Sequence, residues 1–179
     1  MKFIPTTHEG IPQGDVISRF LKPGEFYFGE SNCQLHTILG SCIAITLWHP
    51  ILRIGGMCHY ILPYDRRSKQ TTNARNKLDG KYSDGAMALF EKEAHAHATQ
   101  LTEYQAKIFG GSNMLPNSTL PELEMIGLRN IQAAQKHMQE KGVPFSGADV
   151  GETGHRRIVF DIETGHVWVK HEPLQKIIP

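Results

Sequence analysis

Two side chains that together can open an amide or ester lie on neighbouring stretches of the chain, Cys42 in LGSCIAITLW and His59 in GGMCHYILP. A free thiol with a pKa of about 8.5 is only a few per cent thiolate at neutral pH, and an adjacent imidazole raises that fraction by taking the proton. Residues 39–63 read as two strands joined around His49-Pro50-Ile51-Leu52. If Trp48 and Arg53 close that turn, Cys42 falls directly opposite His59, where Cβ atoms on one face are about 4.5–5.5 Å apart and the two groups can hydrogen-bond. A slip of one residue would send them to opposite faces. Gly40 and Ser41 immediately precede the sulfur, and a glycine there lets backbone N–H groups turn towards a developing oxyanion. The chemistry expected is acyl transfer, with Cys42 as nucleophile, His59 as base, and Gly40 and Ser41 against the substrate. On the hairpin alone, a small buried cysteine and a satisfied core histidine explain the same residues equally well.

The other reactive residue types offer less. Cys58 adjoins His59, so it points to the opposite face and reads as an inert core thiol. Cys33 and His36 have CxxH spacing, but two further ligands at metal-like spacing are not evident, so no metal and no cofactor is expected. The three cysteines are an odd number without CxxC pairs, which argues against a disulfide framework. His95 and His97 lie two apart on a predicted helix, where side chains do not share a face.

The elements that must position Cys42 and His59 follow from the pattern around them. Residues 1–20 mix Pro5, Gly10, Pro12 and Gly14 with few apolar positions and read as an irregular tail, leaving one domain over 21–179. EFYF, QLHTIL, CIAITLW and MCHYIL then follow as short runs rich in β-branched and aromatic residues. Residues 63–80, polar and basic without periodicity, read as a lid, a recognition loop or a solvated insert. Ser83 can cap a helix over 84–98, with Met87, Phe90, Glu91 and Ala94 at helical spacing. AKIFGG at 106–111 is a buried strand ending in paired glycines. A second helix runs from Glu122 to Lys141, stopped by Gly142 with Pro144 beyond. RRIVFDI and HVWVKHE flank Glu163-Thr164-Gly165 as a hairpin. The class is mixed α/β with much antiparallel sheet.

Composition removes several functions. The chain has 179 residues, Lys+Arg 19 against Asp+Glu 18, and a formal net charge of +1, so no excess charge draws it to nucleic acid or an anionic membrane. Nothing approaches the roughly eighteen apolar residues of a membrane helix, and MKFIPTTHEG lacks a signal peptide's apolar core, so a cytoplasmic protein without membrane insertion is expected.

LGSC at 39–42 and GGMCHYILP at 55–63 resemble the chemoreceptor glutamine deamidases of bacterial chemotaxis, the CheD family. KYSDGAM at 81–87, KIFGGSNM at 107–114, IGLRNI at 126–131 and GETGHRRIVFDIETGHVWV at 151–169 fall in the family's order, so the resemblance covers nearly all of the chain after the tail. It implies an α/β fold of the α+β type: a single-domain layered α/β/β sandwich with largely antiparallel sheet, similar to the catalytic domains of glutamine-deamidating toxins. It also implies a substrate, glutamine side chains on the cytoplasmic helices of methyl-accepting chemotaxis receptors, and a CheC-type phosphatase as a further partner. Cys42 and His59 fall on the family's nucleophile and general base. The family's third catalytic residue is a threonine six positions before the cysteine, where this sequence has His36, with Thr37 next to it. Either Thr37 serves through a local bulge, or His36 does, or the third group is dispensable; Thr37 is preferred. The departure at 36 keeps a second reading open, an interaction module with weak or lost catalysis. A third is an unrelated cysteine amidase or thioesterase.

Overall fold

The computed structural model describes residues 2–4, 16–64, 78–115 and 125–174. In chain order the elements are β1 (Lys2–Ile4), β2 (Ile17–Phe20), β3 (Phe26–Gly29), β4 (Cys33–Leu39), β5 (Ile43–His49), β6 (Ile54–Tyr60), α1 (Ser83–Ala96), β7 (Gln105–Gly110), α2 (Ile126–Glu140), β8 (Phe145–Val150), β9 (His155–Asp161) and β10 (Val167–Glu172). They form two five-stranded sheets, one in the order β1-β10-β9-β4-β2 and the other β3-β6-β5-β7-β8. Most pairs are antiparallel; β2 with β4 and β7 with β8 are parallel.

The sequence of β5 explains the layering. Every residue from Ile43 to His49 is buried, which an apolar run without alternation requires when both faces of a strand are covered. Ile43, Ile45 and Leu47 pack with Cys58 and Tyr60 of β6 against Met87 and Phe90 of α1 and Ala134 and Met138 of α2. Ala44 and Trp48 pack with Met57 and Phe109 against Leu35, Leu39, Ile158 and Phe160 of the other sheet. The result is the expected α/β/β sandwich: helices, an inner sheet covered on both sides, and an outer sheet. Trp48 Nε1 donates to Ile162 O at 2.8 Å, a polar tie between the two sheets.

Several expectations need correction. The irregular tail supplies two strands, because β1 and β2 pair at opposite edges of the outer sheet, where edge strands tolerate a weak apolar pattern. The hairpin of β5 and β6 pairs His49 with Ile54 and Ala44 with His59, so its register is two residues from the one inferred. The turn is Pro50 to Arg53: Arg53 N donates to His49 O at 2.9 Å with Arg53 in the left-handed region at φ 51. His49 Nδ1 accepts from the N–H groups of Ile51 and Leu52 at 3.3 and 3.2 Å, which holds His49 in the ladder. Ser83 is the first residue of α1 rather than its cap; its hydroxyl donates to Pro63 O and lies 3.0 Å from His137 Nε2. The second helix begins at Ile126. β8 escaped notice because FSGADV has neither alternation nor apolar mass, and its side chains are exposed or half-buried. The proposed lid or recognition loop at 63–80 lies largely outside the described residues. Among those residues no helix is long and apolar enough to cross a membrane.

Candidate active site

A shift of two residues preserves strand parity, so Cys42 and His59 keep a common face although they are not directly opposed. His59 stands across from Ala44, and Cys42 lies one residue before β5, diagonal to it, with its side chain against the cluster between the sheets. His59 itself is 2% exposed. Its backbone is fixed on both sides, the N–H donating to Glu25 O at 3.0 Å and the C=O accepting from Gly24 N at 2.7 Å.

The outer sheet completes the site. β4 buries alternate residues, and Thr37, in phase with Leu35 and Leu39, points between the sheets and is 1% exposed. Its Oγ1 donates to Leu21 O at 2.7 Å and lies 2.8 Å from His59 Nδ1. The hydroxyl has one proton, and the Leu21 carbonyl can only accept it. Nδ1 must therefore donate to Thr37, which assigns the neutral tautomer with the proton on Nδ1 and the lone pair on Nε2. Nε2 is buried and has no hydrogen-bond partner. Thr37 reaches this position without a bulge, since the β4–β9 register runs unbroken from Gln34 opposite Asp161 to Leu39 opposite Arg156. His36 points out of the opposite face beside Val159 and Phe20, away from His59. It is equally apart from Cys33, which points inward.

Burial sets the electrostatics. It pushes the Cys42 thiol up, opposed by the residue's own N–H, and pushes His59 below the ordinary imidazole value. Both shifts favour the uncharged forms, thiol and neutral imidazole. Cys58, on the helix side, is wholly buried and its pKa is pushed up to about 12, as an inert core thiol requires.

The loop carrying Cys42 is held by backbone contacts. Gly111 N donates to Cys42 O at 2.8 Å and Ser112 N to Gly40 O at 2.9 Å. Gly110, at φ 103, comes so close that a Cβ there would meet Cys42 O at 2.2 Å, so the paired glycines both end β7 and seat the loop. Ser41 forms part of the wall of a cleft of about 620 Å³ that continues along Gly111, Met114 and Ile131. Gly40 packs beside Met114, whose Sδ would lie 3.0 Å from a Cβ at that position.

A model of the family described as CheD chemotactic sensory transduction matches residues 61–171. The chain belongs to the CheD family. It is 42% identical over 158 residues to a probable chemoreceptor glutamine deamidase CheD of Pseudomonas savastanoi pv. phaseolicola, covering 88% of this chain and 86% of that one. It is 45% identical over 150 residues to a probable chemoreceptor glutamine deamidase CheD 3 of Dechloromonas aromatica, covering 84% and 85%. The first alignment is long enough to span β4 to β6, which carry Thr37 and His59 and flank Cys42.

Two residues of the family motifs support the site in ways that sequence reasoning missed. Arg156 of GETGHRR is fully buried and donates to Asp149 Oδ1 at 2.7 Å, Ser112 Oγ at 2.6 Å and Gly151 O at 2.9 Å, bracing the residue that holds Gly40. Its signal was phase, since Arg156 alternates with Ile158 and Phe160 on the inward face of β9. Asn130 of IGLRNI is also fully buried, and its Nδ2 donates to Ser41 O at 2.9 Å and Ile61 O at 2.8 Å. Nothing in spacing alone marks an asparagine on a helix as reaching back to two strand ends.

Proposed function

We propose that this chain hydrolyses glutamine side chains of methyl-accepting chemotaxis receptors to glutamate through a thioester on Cys42. The observation that carries the reading is the buried, unbonded Nε2 of His59, on the face that Cys42 shares, with Nδ1 tied to Thr37. Relatives named as probable chemoreceptor glutamine deamidases supply the substrate class.

In this mechanism His59 Nε2 takes the Cys42 proton as sulfur attacks the glutamine Cδ, forming the C–S bond and moving an electron pair onto the carbonyl oxygen. The oxyanion collapses, the C–N bond breaks, and the imidazolium returns its proton to the departing ammonia. Neutral His59 then activates a water, and the C–S bond breaks to give glutamate and free thiol. Thr37 positions the imidazole and its Nδ1–H rather than touching the substrate. Gly40 and Ser41 contact the substrate beside the sulfur. Each turnover adds one negative charge to a receptor helix, which tunes adaptation. A CheC-type phosphatase is the further partner of this reading. The adaptor alternative drew its support from the missing threonine at 36, and with Thr37 hydrogen-bonded to His59 that departure no longer favours it.

The test is mass spectrometry of a receptor cytoplasmic fragment incubated with the wild type or with Cys42→Ala. Site-specific glutamate produced by the wild type alone is expected. Bound but unmodified receptor with both proteins would overturn the reading in favour of the adaptor.

A further inference from the structure

Asn130 touches both halves of the site without approaching the reacting atoms. Its two Nδ2 bonds end one residue before Cys42 and two residues after His59, and its backbone carbonyl accepts from Tyr60 Oη at 2.5 Å. Both acceptors of Nδ2 are carbonyls, which only the NH₂ end of an amide can satisfy, so its orientation is determined. Oδ1 is buried with no hydrogen-bond partner. An aliphatic residue would fill this position without stranding an oxygen, so packing alone does not account for an amide here.

The Ser41 carbonyl and the Cys42 N–H belong to one planar trans peptide and point in opposite directions. Holding that carbonyl on α2 therefore turns the N–H the other way, away from the helix. The neighbouring carbonyls of Gly40 and Cys42 are tied down by Ser112 and Gly111, which leaves the Ser41–Cys42 peptide to be set by Asn130. Donors fixed before the reaction are those that stabilise a developing oxyanion without reorganising.

We propose that Asn130 is a positioning residue that locks the Ser41–Cys42 peptide so that the Cys42 N–H serves as an oxyanion donor, while its bond to Ile61 O keeps that peptide in register with the strand of His59. The inference rests on the cysteine acyl-transfer reading of the site and deepens it.

The experiment compares two reactions of Cys42 that differ in their need for an oxyanion hole. Acylation by p-nitrophenyl acetate, followed as the release of p-nitrophenolate, passes through a tetrahedral oxyanion; alkylation by iodoacetamide does not. Asn130→Ala should lose about 10- to 100-fold in acylation, because the donor is loosened rather than removed. Its alkylation rate at a pH above the thiol midpoint should stay within about threefold of wild type. Mass spectrometry of the alkylated protein reports folding, since Cys33 and Cys58 are buried and only an unfolded chain labels them rapidly. If Asn130→Ala labels all three thiols, Asn130→Ser, which leaves a smaller void and cannot reach both carbonyls, replaces it with the same expectation. Acylation and alkylation falling together, or neither falling, would overturn the proposal. The receptor fragment run in parallel separates the two claims: an ester-acylated wild type that leaves receptor glutamine intact defeats the deamidase reading alone. A wild type inert to both ester and receptor defeats both.

Discussion

Cys42 and Cys58 are thiols on the same hairpin with opposite fates, and the two faces of the inner sheet account for the difference. Cys58 points to the helices, where Ile45, Tyr60 and Phe90 enclose it in an apolar layer and burial holds its proton. Cys42 borders the layer between the sheets, which is largely apolar but takes in Thr37 and His59, contributed by different sheets and hydrogen-bonded across the layer. A sheet packed on helices meets side chains from long, continuous apolar stripes. A sheet packed on another sheet meets alternate residues of the facing strand, and one of these can be polar where it finds a hydrogen-bond partner across the layer. The thiol we propose as nucleophile borders the layer where the two sheets bring polar groups together, and Cys58 lies under the helices.

The largest effect that would break this comparison is in the two thiols themselves. Cys42→Ala should lower the initial rate of glutamate formation by about 10⁴-fold or more, the scale on which loss of a nucleophile acts, while Cys58→Ala leaves it within about twofold. His59→Ala should cost about 10²- to 10⁴-fold in kcat, the usual worth of a general base. Thr37→Val keeps the shape of the side chain but removes the acceptor for Nδ1–H. A loss of roughly 10- to 100-fold in kcat with little change in KM is expected, the order found when a group orienting a histidine is removed.

The pH dependence sharpens the same contrast. Burial lowers the pKa of His59, so the base stays neutral below the ordinary imidazole value of about 6.5, and the acid limb of kcat/KM should fall below that pH. Burial raises the pKa of Cys42, so alkylation of the free enzyme should increase through a midpoint above the ordinary thiol value of about 8.5. The smallest effect is on stability: Cys58→Ala, which only trims a core side chain, should cost about 1 kcal/mol in chemical denaturation.

The site was legible in the sequence to the extent that it is local. Strand parity puts Cys42 and His59 on one face whether the turn closes at Trp48 and Arg53 or at His49 and Ile54, so an error of two residues in register did not disturb the pairing of faces. The error itself arose because the imidazole of His49 binds the turn amides, which composition does not reveal. The α/β/β layering was implied by family resemblance, and the unbroken burial of β5 agrees with it. The parts that could not be read are those joining distant segments. Thr37 needed no bulge, because the spacing between β4 and β5 is accommodated in the Gly40–Cys42 loop. β1 and β2 are held by pairing to β10 and β4, not by their own pattern. Asn130 and Arg156 act through contacts made only once the sandwich has formed.

The central claim is that Cys42, alone among the three thiols, forms a covalent intermediate with the substrate amide. Acid quench of a single-turnover mixture with a glutamine-containing receptor fragment, followed by peptide mapping, tests it directly. An adduct of fragment minus ammonia on the peptide containing Cys42, absent from Cys42→Ala, is the predicted result. An adduct on Cys33 or Cys58, or undiminished conversion by Cys42→Ala, would contradict it.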